Sequence, residues 1–205
     1  TSIPLVFALT VLVSCADRTA FTLKPEDLKQ ETSIRIENNN LRVVFVDNEA
    51  MGSRHRAGYN GIAELYHRFQ DTTIFVPEYA GFNLEHVFGG DSLVQLFEPR
   101  RHPMKLYRRG ENEIVLHQEA TPLSGVESLT TFQVKGPDYI DIVFECVFHN
   151  DQFFRHGYAG LFWASYIHKP TDKKIYFRGN AEGQQQTSWV ATYSEKHGVN
   201  STHRN

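Results

Sequence analysis

The sequence predicts an all-β fold, an antiparallel β-sandwich, from three observations. Short apolar segments recur at intervals of about 8–12 residues, separated by Gly, Pro, Asn and Asp turn signals. The best-patterned segment, Tyr139–His149, alternates with period two. Ile140, Ile142, Phe144, Cys146 and Phe148 face one way, while Asp141, Glu145 and His149 lie opposite, mixed with Val143 and Val147. No heptad, fixed-period repeat or long amphipathic stretch occurs, which disfavours bundles and solenoids. The 15 Phe, 9 Tyr and 2 Trp suit strands and their cores.

The elements follow in chain order. Residues 1–16 read as an export leader, because Ile3–Val13 is an apolar run of signal-peptide length that is too short to span a bilayer. Leu12-Val13-Ser14-Cys15 resembles a bacterial lipobox, in which Cys15 is lipidated. Ser14 and Ala16 equally satisfy ordinary cleavage before Asp17. Both routes predict an extracytoplasmic protein (periplasmic, outer-membrane lipoprotein or secreted) that touches a membrane only through a lipid anchor. A buried strand over Ile3–Val13 is disfavoured by the turn and polar residues that follow. Residues 17–33 are polar and predict a linker.

Residues 34–205 predict the sandwich, and the polar tail after Asn180 predicts that its last strands lie beyond residue 205. Asn38-Asn39-Asn40 joins strands over Ser33–Glu37 and Leu41–Val46, since Asn tolerates a left-handed turn backbone. Further strands are expected over Ile62–His67, Phe82–Phe88, Met104–Tyr107, Glu113–Gln118, Glu127–Lys135 and Tyr139–His149. Three more follow over Ala159–Ile167, Lys174–Phe177 and Thr187–Tyr193. Cys146, on an apolar face, reads as a small hydrophobe and not as a nucleophile.

Charge and motifs exclude several functions. With 21 Lys+Arg against 24 Asp+Glu, the formal charge of −3 gives no general attraction for nucleic acid. The 10 His show no His-x-His or His-Glu-x-x-His spacing, so no metal site is expected. Phosphate loops and a Gly-x-Ser-x-Gly elbow are likewise absent, and no cofactor is expected.

Chemistry concentrates between Arg54 and His102, where Gly and Pro alternate with Asn, Glu, His, Arg and Tyr. Such side chains suit a sugar, whose hydroxyls need donors and acceptors and whose ring face stacks on aromatics. The ligand-binding candidates are Tyr59, Asn60, Asn83, Glu85, His86, Arg100, Arg101 and Trp163, with Trp163 tilted toward core packing. His102 is the candidate proton carrier, since histidine titrates near neutrality. Glu78 or Glu98 is its carboxylate partner, and Tyr79 is the alternative Brønsted residue of a lyase. Glu85 and His86 are neighbours on a strand and point to opposite faces unless a bulge intervenes.

The stretches Ile34–Val46, Glu127–His149 and Tyr158–Ile167 together resemble the galactose-mutarotase-like family of β-supersandwich proteins. The resemblance implies a supersandwich and acid–base chemistry on a sugar without a nucleotide cofactor, as in epimerases, polysaccharide lyases or glycoside hydrolases. It implies a His acid, for which His102, His117 and His149 are open. The late Glu base it implies has Glu182 and Glu195 as candidates. Two functions are therefore expected to compete: a carbohydrate-binding or carbohydrate-processing protein, and a non-catalytic envelope protein that uses the sandwich as a scaffold.

Overall fold

The computed structural model describes residues 12–14, 21, 28–49, 58–89, 97–170, 172–180 and 185–192. In chain order the strands are β1 (Leu12–Ser14), β2 (Lys29–Glu31), β3 (Ser33–Glu37), β4 (Leu41–Val46), β5 (Gly61–His67) and β6 (Asn83–Phe88). A short helix, α1 (Glu98–Arg101), precedes β7 (Lys105–Arg108), β8 (Glu113–Gln118), β9 (Val126–Lys135) and β10 (Tyr139–Phe148). Strands β11 (Gly160–Ala164), β12 (Ile175–Gly179) and β13 (Ser188–Thr192) complete the order. No helix among the described residues is long and apolar enough to cross a membrane.

One layer is a six-stranded sheet, ordered β1-β10-β9-β8-β7-β2. The opposite layer holds β3-β4-β5 and the pair β6-β11. The latter two are stitched where Ile62 and Gly81 exchange backbone hydrogen bonds of 2.9 and 2.7 Å. Strands β12 and β13 form a hairpin of their own. Period-two alternation drives the packing: Ile34, Val43, Phe45 and Leu65 from one layer meet Leu106, Ile114, Phe132 and Phe144 from the other in one buried core. The Phe45 and Phe132 rings touch at 5.2 Å between centroids. Each such side chain contributes roughly 1.5–3 kcal/mol by leaving water. This is an antiparallel all-β sandwich, as the alternation predicts.

Three local features differ from expectation. Leu12–Ser14, within the expected leader, pairs with Val143–Glu145 of β10 in parallel, and Lys29–Glu31, within the expected linker, pairs with β7. Cys15 lies outside the described residues, as do Glu182 and Glu195. At the Asn38–Asn40 turn no Asn adopts positive φ; the only described non-Gly residues that do are Ala80 and Phe82. Instead the Asn38 side-chain oxygen accepts hydrogen bonds from the Asn40 and Leu41 amides, at 2.9 and 2.8 Å, so a side-chain turn replaces the left-handed one. Asp138 clips the layers together at this end by accepting from the side-chain Nδ2 of Asn40 and from His67 Nε2, the latter at 3.1 Å.

Candidate functional site

The site starts from residues 97–103. Pro99 sits in the first turn of α1, where its missing N–H costs nothing. A helix of one turn cannot hold itself, and three buried polar side chains hold it instead. The Glu98 carboxylate, 1% exposed, accepts from the Leu123 amide at 2.6 Å and the Ser124 amide at 3.1 Å. Gln118 Nε2 donates to the carbonyls of Pro99 and His102 at 2.7 and 2.9 Å. Asn48 donates to the His102 carbonyl at 2.6 Å and accepts from the Met104 amide at 3.0 Å.

This pinned segment presents Arg100 to the second layer. Its Nη1 lies 2.9 Å from Glu85 Oε1, and its guanidinium stacks 3.8 Å above the Tyr59 ring and 5.0 Å from that of Phe97. The Tyr166 hydroxyl donates to the same Glu85 oxygen at 3.1 Å, and the Tyr59 hydroxyl lies 3.4 Å from that of Tyr166. Burial first, then the Tyr59 contact and the Glu85 charge, push the Tyr166 phenol well above its ordinary range, so it stays a donor. The rings of Tyr59, Tyr79 and Tyr166 pack on one another at 5.2–5.5 Å.

Glu85 Oε2 also lies 3.4 Å from His86 Nε2. Neighbours on a regular strand cannot do this, and the register explains why these can. Phe162 pairs with His86 and Trp163 with Leu84, which leaves Glu85 unpaired in a β-bulge. The bulge sends Leu84 and Val87 into the core. His86 and Phe88 turn to the other side, so the bulge allowed for in the sequence is present and His86 does not share a face with Leu84. Around the His86 ring stand Phe97 at 4.4 Å, Phe162 at 5.3 Å and Phe88 at 5.5 Å. These three are 38, 45 and 37% exposed.

Beside this cluster opens a cavity of about 690 Å³, lined by Asn48, Glu49, Gly58, Phe97, Arg100, Arg101, His102 and Pro103. Its size falls in the range of roughly 300–1,000 Å³ usual for small-molecule sites. Gly58 adopts φ +92°, and a Cβ there would stand 1.9 Å from the Arg100 carbonyl oxygen.

Tyr59, Tyr79, Glu85, His86, Arg100, Arg101 and His102 thus converge, and the remaining candidates do not. Glu98 turns its oxygens to the Leu123 and Ser124 backbone amides and does not line the cavity. Glu78 is exposed, and neither carboxylate bonds His102 among the described residues, which corrects the expected His102 partnership. Asn60 and Asn83 form a buried pair at 2.8 Å, with Asn60 Oδ1 accepting from the Leu84 amide at 3.1 Å, so they shape the backbone. Trp163 packs edge-on against Phe144 at 4.7 Å. Asn48, Phe88, Phe97, Gln118, Phe162 and Tyr166 were not among the sequence candidates, although the aromatic run Tyr158–Tyr166 contains two of them.

The two other open histidines meet elsewhere. His117 and His149 each direct Nε2 at Glu127, at 2.9 and 2.7 Å, and the Phe21 amide donates to it at 3.3 Å. Burial alone would raise the Glu127 carboxyl, but these bonds outweigh it and hold the group below its ordinary range. Among the described residues no set of three or more His, Cys, Asp or Glu is arranged to hold a metal ion. Comparison with known proteins returns no match: no family model, no curated protein and no solved structure pairs significantly with this chain.

Proposed function

We propose that the protein is an exported carbohydrate-binding protein whose ligand occupies the cavity beside Arg100. The observation that carries this reading is the composition of the cavity wall. Arg101 and His102 line it on a segment fixed by Glu98, Gln118 and Asn48, and Phe97 supplies an aromatic edge. Fixed donors beside an aromatic ring suit a sugar's hydroxyl edge and C–H face, and preorganisation lowers the entropic cost of binding. Arg101 supplies a charge for an acidic sugar. The likeness to galactose-mutarotase-like proteins and the apolar run Ile3–Val13 support the same reading, with Cys15 the residue that a lipid anchor would modify.

The Glu85–His86 contact favours a second reading, acid–base turnover of the sugar. A buried carboxylate fixed by Arg100 and Tyr166 can orient an imidazole as a general base. Thermal shift of the full chain with neutral and acidic sugars, alongside product analysis, separates the two. A ligand at 100 times its dissociation constant stabilises the fold by about 2.7 kcal/mol. A shift without product supports binding, and product lost in His86→Ala supports turnover. A folded chain that responds to no sugar overturns both and leaves the scaffold reading.

A further inference from the structure

We infer that the ligand is a chain of several sugar units and that it lies across both the cavity and an aromatic shelf made by Phe97, Phe162 and Phe88 around His86. The inference rests on the carbohydrate reading above and extends it to the class of ligand. Its basis is continuity. Phe97 lines the cavity and its ring centroid lies 4.4 Å from that of His86, so cavity and shelf share one wall. Phe162 lies opposite His86 in the β6–β11 register, and Phe88 follows two residues along β6 on the same side. These positions gather the three rings around the His86 imidazole.

Single exposed apolar side chains need no explanation, but three phenylalanines gathered about one histidine form a patch. The patch is also not uniformly apolar. His86 sits at its centre, with Glu85 and Arg100 beneath and beside it. Glu85 is buried and already bonded to Arg100 and Tyr166. The polar group this patch presents is therefore the partly exposed His86 imidazole, which a purely apolar partner would cover without offering a hydrogen bond. Sugar rings meet both demands, with C–H faces for the phenylalanines and hydroxyl edges for the imidazole. A single sugar in the cavity would leave the shelf in water, whereas a chain covers it.

The test is a length series. The full chain is titrated by calorimetry with β-1,4-linked glucose and with α-1,4-linked galacturonate, each from one to six units. In the series that binds, affinity is expected to rise about tenfold from monomer to tetramer. Phe162→Ala and Phe88→Ala should each shrink that tetramer-to-monomer ratio, while Arg101→Ala should weaken all lengths alike and keep the ratio. Phe162 and Phe88 are exposed, and a melting curve matching the parent verifies that each variant is folded. Equal affinity for monomer and tetramer, or a ratio untouched by both phenylalanine changes, overturns the inference while the carbohydrate reading stands. Binding of neither series at any length overturns both.

Discussion

Arg100 has partners on three sides: the Glu85 carboxylate and the rings of Tyr59 and Phe97. Lysine cannot reproduce the planar stack, and removing the guanidinium takes the ion-pair partner from the buried Glu85 carboxyl. Arg100→Met is therefore expected to lower the unfolding free energy by about 3–5 kcal/mol. Adding Glu85→Gln should return part of that loss, because the two changes share one interaction. Urea melts of the two single variants and the double variant measure the coupling. Glu98 and Glu78 make a sharper contrast. Both are loop carboxylates in sequence, yet one is buried and accepts from two backbone amides, while the other is solvated. Glu98→Ala should cost about 3 kcal/mol or more, and Glu78→Ala less than about 0.5 kcal/mol. A large loss at Glu78, or none at Glu98, would contradict these placements.

At the scale of elements, the pinned segment depends on close approach between backbones. Gly58→Ala adds strain at φ +92° and drives a Cβ into the Arg100 carbonyl. It is expected to destabilise the chain by about 2 kcal/mol or more and to speed amide exchange across residues 99–104. Unchanged exchange there would mean that Gly58 does not support the segment. Strand β3 and the first eight residues of β10 could be read directly, because their burial alternates cleanly with apolar residues in step. Strand β6 could not be read this way. In Asn83-Leu-Glu-His-Val-Phe88 both Leu84/His86 and Leu84/Val87 are plausible inward sets, and only pairing with β11 selects the second through the bulge at Glu85. The polar strand β2 carries no apolar period, since as Lys-Gln-Glu it is held by backbone pairing with β7 and by the Glu31–Arg108 ion pair at 3.8 Å. The same limit governs the site. Residue types located most of its polar members, but Tyr166, Phe97 and Gln118 join it through contacts across the two layers, which local pattern does not encode.

At the scale of the molecule, Glu127 sets an acid limit. Its carboxyl is held below the ordinary glutamate value of about 4.3. A depressed carboxylate contributes stability above that value and loses it as pH falls through the lowered one. The parent chain should therefore lose stability below about pH 4. Glu127→Gln should start lower at pH 7, by about 1–3 kcal/mol, and fall less steeply on acidification. Urea titrations at pH 7 and pH 3.5 test this, and parallel falls for the two proteins would count against it.

The reach of the Tyr59–Tyr166 contact has a consequence for the nascent chain. These residues are 107 positions apart, and synthesis at about 5–20 residues per second separates their arrival by roughly 5 to 20 seconds. During that interval Arg100 and Glu85 can meet, but Tyr166 is not yet there to share the carboxylate, and the facing strand β11 has not arrived to impose the bulge. The binding face thus cannot take its final shape until β11 and Tyr166 have been made, after every strand of the six-stranded sheet has been synthesised.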